Sequence, residues 1–192
     1  MTRAIFGTLL IGALMAGTLA FFTVAAAGQK NGTYLKTQVS RGEYLVLLGG
    51  CGDCHTPKKF GAKGPEPDLS RNLAGAPAHA PVPPVPAGVL TPTGWGALGS
   101  QDMTTWAGPW GVSFAANLTP DNKTGIGLMS EEMFIKSLRT GKHRGMLRDI
   151  LPPMPWQNMA QVSDEDLKAI FAYLKSLPPV ANRVPDPIPP KP

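Results

Sequence analysis

At 192 residues with 43% hydrophobic side chains, the chain has the size of one ordinary domain with a small core, and its 22 glycines and 21 prolines imply long stretches of irregular backbone. The formal net charge is +5, from 18 basic and 13 acidic residues. Lysine and arginine are scattered rather than gathered into a stripe, which excludes nucleic acid as the partner and leaves a weak attraction to acidic proteins or anionic membranes.

Arg3 is the only charge in the first 28 residues, and Ala4 to Gly28 runs without one. Residues 1–27 are read as an export segment with two outcomes. Ala25-Ala26-Ala27 suits a small-residue cleavage site, whereas the apolar run exceeds the roughly 7 to 15 residues of a signal core. At about 18 or more residues, such a run also serves as an uncleaved membrane anchor. Both outcomes place Gln29 onward in the periplasm, either soluble or tethered to the inner membrane.

A helix is predicted to start at Ser40-Arg41-Gly42-Glu43, where the hydroxyl and the carboxylate would satisfy free backbone amides reciprocally. Tyr44, Leu47 and Leu48 would share one face, and Gly49-Gly50 would stop the helix just before Cys51. From Pro57 to about Leu128 no segment keeps a helical or strand period, so 57–116 is read as an extended loop insertion. Between Asn72 and Pro120 the only charged residue is Asp102, while Trp95, Trp106, Trp110 and Phe114 interrupt the Pro/Gly-rich background. A disordered linker is seldom so aromatic, and these rings are expected to form a satellite core, a cofactor cover or a partner-docking patch.

Ser130 caps a second predicted helix with Glu131 and Glu132 in its first turn and Phe134, Ile135 and Leu138 on its apolar face, ending near Gly141. Ser163 caps the clearest one, in which Leu167, Ile170, Phe171 and Leu174 follow the i, i+3, i+4, i+7 rule up to Pro178-Pro179. The tail 181–192 holds five prolines and is expected to be extended and mobile.

Cys51-Gly52-Asp53-Cys54-His55 is the pattern of covalent haem attachment, because two thiols at this spacing can add to the two vinyl groups of one haem. The histidine that follows is placed beneath the ring as the proximal iron ligand. A disulfide between the cysteines would leave His55 unexplained. A dithiol redox pair would sit in a strand-helix unit, which is not evident here. Structural zinc wants four ligands in paired spacing, and the chain offers only His79 and His143 besides His55 and the two cysteines. Haem c, with its iron, is therefore the cofactor read from the sequence, and its apolar surface compensates a loop-rich chain of this size.

A haem that only passes electrons has its sixth position filled, most often by methionine. Among eight methionines, Met154 in Leu151-Pro152-Pro153-Met154-Pro155-Trp156 is the first choice, since the prolines restrict the backbone and present the thioether at little ordering cost. Met159 and Met146 are the alternatives.

With these motifs the chain resembles the small mono-haem, class I c-type cytochromes of bacterial electron-transfer chains, including relatives that serve periplasmic dehydrogenases. The likeness rests on Arg41-Gly42-Glu43-Tyr44 before Cys51 to His55, on Asn117-Leu118-Thr119-Pro120-Asp121 with Thr124-Gly125-Ile126-Gly127, and on Pro153-Met154-Pro155-Trp156 with Ser163-Asp164-Glu165-Asp166-Leu167. It implies an all-α fold over 38–180, wrapped around one covalent haem, with the first and last helices crossing and the Met-Pro methionine as distal ligand. It also implies that Asn117 borders the haem.

The function read from this is electron transfer between redox proteins, the donor and acceptor being a dehydrogenase, an oxidase or a quinol-oxidising complex. The chain would act as a free carrier or as a fixed cytochrome c subunit of a membrane complex. The rival is a haem peroxidase or gas sensor, in which His143 would be the distal base. Arg144 or Arg148 is a candidate partner for a haem propionate.

Overall fold

The computed structural model describes residues 32–79 and 82–190, so the 1–27 segment lies outside the described residues. Among the described residues no helix is long and apolar enough to cross a membrane. The chain divides between Thr37 and Gln38 into two units, and the described part of the first, 32–37, is helical.

Helix α1 covers 32–48, so Ser40 lies inside a helix rather than at its start. The five consecutive apolar residues Tyr44 to Leu48 occupy every phase of a helix, and periodicity cannot select the buried ones. The fold buries Gly42 and Val46, with Leu45 packed beside them, whereas Tyr44, Leu47 and Leu48 face outward. Gly42 is where α1 meets the last helix, α5 (Asp164–Ser176). A Cβ on Gly42 would fall inside the Ala169 carbonyl and lie 2.8 Å from the Tyr173 Cβ, so only a glycine admits the crossing. Arg41 and Asp166 join the same two helices through a 3.0 Å ion pair.

Helix α2 (Cys51–His55) is a single turn after the left-handed Gly50. Helix α3 (Glu131–Thr140) is capped by Ser130, which accepts from the Met133 amide, and is closed by the left-handed Gly141. A short α4 (Trp156–Met159) precedes α5, whose cap Ser163 accepts from the Asp166 amide. The core gathers Val46, Leu73, Ile126, Phe134, Leu138, Leu167, Ile170, Phe171 and Leu174, with the Phe134 and Phe171 rings 5.3 Å apart.

The expected all-α class is overturned, because the fold is mixed and holds two small antiparallel sheets. Both lie within the stretch expected to be an extended loop. Strands β1 (Lys58–Gly61) and β2 (Gly64–Pro67) form a hairpin, and β3 (Leu98–Gly99), β4 (Thr105–Gly108) and β5 (Gly111–Phe114) form a meander in that order. These strands are too short to display alternation, and β2 carries two prolines, a composition tolerated only at a sheet edge. Trp106 and Trp110 brace the meander by donating from their indole nitrogens to the Met103 carbonyl and the Ser113 hydroxyl, whereas Trp95 stays exposed.

The tail also departs from expectation. Asn182 is buried, donates to the carbonyls of Ala74 (2.7 Å) and Ala76 (2.9 Å), and accepts from the Ala78 amide (3.1 Å). Ile188 pairs with Val112. Asn182→Ala strands these buried backbone groups at about 1 kcal/mol or more each. The expected result is a loss of about 3 kcal/mol, read by circular dichroism as a fall in Tm of roughly 6–12 °C. An unchanged Tm would mean that the tail contributes nothing to the fold.

Candidate functional site

Three of the four side chains singled out by the sequence, Cys51, Cys54 and His55, lie on the one turn of α2. Two features hold that turn. At its end Lys58 donates from Nζ to the carbonyls of Gly52 (3.1 Å), Asp53 (2.9 Å) and Thr56 (2.7 Å), which places a cation at the negative end of the turn. On its flank the buried Thr56 hydroxyl donates to the Asn72 side chain and accepts from the Leu73 amide, while the Gly75 amide donates to the His55 carbonyl.

The His55 ring is bonded through Nδ1 to the Ala116 carbonyl at 2.7 Å. A carbonyl only accepts, so Nδ1 carries the proton and Nε2 keeps its lone pair, the arrangement of a histidine prepared to ligate a metal. Burial pushes the imidazole pKa down, partly offset by the bond to Ala116, and holds the ring neutral. Cys51 and Cys54 are free, half-buried thiols whose pKa burial pushes up, which keeps the sulfurs protonated.

Met154 is half-buried and packs against the same core cluster as Cys51, as does Met159, whereas Met146 is 70% exposed. The segment that carries Met154 is anchored at two points, the Ile150 amide donating to Gly141 and the buried Ser113 hydroxyl donating to Pro152 at 2.6 Å, and it closes on itself where the Trp156 amide donates to the Met154 carbonyl. Two thiols on one turn, a half-buried neutral imidazole with a free Nε2 and a thioether on the same apolar cluster are a donor set that fits haem c. Among the described residues no group of three or more His, Cys, Asp or Glu side chains is arranged to hold a metal ion by itself.

Other candidates lie outside α2, Asn117 directly after the Ala116 that holds the His55 ring. His143 sits half-buried in a 3-10 turn (His143–Gly145) after α3, its pKa pushed down by burial and then by Arg148 and Arg144. Arg148 is exposed and donates to the Asp149 carbonyl. Asn117 is a buried knot, donating to Thr124 and to the Val180 carbonyl and accepting from Thr119. Sequence reasoning missed Ala116 and Lys58. Ala116 acts through its carbonyl, which no residue type announces, and Lys58 is marked only by its place three residues after His55.

No protein-family model matches the chain. It is 33% identical over 171 residues to the gluconate 2-dehydrogenase cytochrome c subunit of Pantoea cypripedii, covering 88% of this chain and 29% of that one. It is 37% identical over 81 residues to the cytochrome c subunit of the quinone alcohol dehydrogenase of Gluconobacter oxydans, covering 41% and 17%. It is 30% identical over 151 residues to a diheme cytochrome c-type protein of Cereibacter sphaeroides, covering 76% and 38%. The chain thus spans well under half the length of these curated relatives.

Proposed function

We propose, from the chain's kinship with the cytochrome c subunits of dehydrogenases, that it carries electrons through one covalently bound haem. The bound group supplies one-electron exchange at iron. The two cysteines of the sequence allow one doubly tethered haem, held by Cys51 and Cys54. His55 offers Nε2 and Met154 its thioether, and together they would fill both axial positions, leaving none for a small-molecule substrate. That choice makes the chain a carrier rather than a peroxidase or gas sensor.

The observation that carries this reading is the Nδ1 bond from His55 to Ala116, one residue from a free CxxC pair. It favours the tautomer that ligation through Nε2 requires. The partner is the catalytic subunit of a dehydrogenase, as the relatives' names suggest, and export by residues 1–27 would put the exchange in the periplasm or at its membrane. Purified from a host that attaches haem c, the denatured chain is expected to retain the absorbance of a porphyrin, at the mass of the polypeptide plus one haem. A colourless denatured polypeptide would end the proposal.

A further inference from the structure

The turn that follows the β1-β2 hairpin contains an unsatisfied group. Arg71 closes a 3-10 turn (Leu69–Arg71), and its Nε is buried with no hydrogen-bond partner. A guanidinium is always charged and is rarely left so, since the enclosed N–H has surrendered water without replacing it. The nearest carboxylate along the chain is already engaged. Asp68 accepts from the Ser70 amide and hydroxyl and pairs with Lys59 at 2.8 Å. The four ion pairs among the described residues all use other cations.

The place of Arg71 indicates what is missing. The residues just after it are laced to the CxxCH turn, Asn72 and Leu73 to Thr56, and Gly75 to His55. Leu73 and Ala76 then bond to Leu118 and Ala115, on either side of the carbonyl that orients His55. Arg71 therefore begins the segment that flanks the proposed proximal ligand. A haem enclosed there brings two propionate carboxylates, and the planar fork of a guanidinium matches a carboxylate. Arg148, a candidate from the sequence, is exposed and donates to a backbone carbonyl instead.

We propose that Arg71 binds a propionate of the covalently attached haem, donating its buried Nε–H to the carboxylate. The proposal rests on the haem reading above. It is tested on the full-length holoprotein by resonance Raman of the propionate-bending band and by redox titration. Arg71→Gln is expected to shift the band and lower the reduction potential, because a cation beside the haem favours the ferrous form. Arg71→Lys, which keeps the charge, is expected to recover the potential. A band unmoved in Arg71→Gln, or potentials lowered equally in both variants, overturns the assignment. Should Arg71→Gln fail to mature, the wild-type ferrous protein still decides: an Arg71 Nε–H showing no nuclear Overhauser effect to the propionate methylenes refutes it. Absence of covalent porphyrin from the wild type removes the haem reading itself, whereas a bound haem with an indifferent propionate removes only the role of Arg71.

Discussion

Met154→Ala is expected to abolish the weak ferric methionine-to-iron absorption band while leaving the porphyrin covalently attached. The proposed tether, Cys51 and Cys54, lies on a different element from the Pro-rich segment, so loss of the thioether should not release the haem. Methionine raises the potential relative to nitrogen or water ligands. Its loss is expected to lower the midpoint by on the order of 0.1 V, a fraction of the ~0.8 V over which axial ligands move haem potentials. Met159→Ala is the control, since Met159 packs on the same cluster but follows the anchored segment by a helical turn. Loss of the band in Met159→Ala and its survival in Met154→Ala would reverse the assignment. Met146 is poorly placed to compete, because at 70% exposure its thioether is in water.

Gly42→Ala is expected to destabilise the fold by about 2–4 kcal/mol, although helix propensity alone would favour alanine by up to about 1 kcal/mol. The added methyl meets the Ala169 backbone carbonyl and carbon, and neither can rotate away, so α1 and α5 must separate where they cross. Overpacking against backbone therefore outweighs propensity. Thermal unfolding should show a Tm lowered by roughly 5–15 °C. Gly32→Ala, in the same helix, meets nothing within 4 Å and is expected to be neutral or slightly stabilising. Equal effects at the two positions would show that the crossing is looser than the structure has it.

These predictions show which parts of the molecule were legible in the sequence. The caps at Ser130 and Ser163, the glycine stop at Gly49-Gly50 and the buried face of α5 were all readable, because each depends on residues within one or two turns. The phase of α1 was not. An uninterrupted apolar run fits any face, and the choice was made by Gly42, the residue small enough to let α5 approach. The sheets were equally hidden, since strands of two to four residues carry no period and owe their existence to pairing. A single polar residue, Asn182, reversed the reading of the tail by finding three backbone partners more than a hundred positions away.

The sequence by itself determined the candidate attachment point, because chain connectivity alone brings Cys51, Cys54 and His55 onto one helical turn whatever the rest of the fold does. Only the tertiary structure decided how that turn is held and oriented: by Lys58 beneath it, by the Thr56 hydroxyl at its flank, and by the Ala116 carbonyl 61 residues on. The physical reason is that the acceptors for the His55 ring and the Lys58 amine are backbone carbonyls. A carbonyl is present at every position, so its role arises from where the chain folds and not from which side chain it bears.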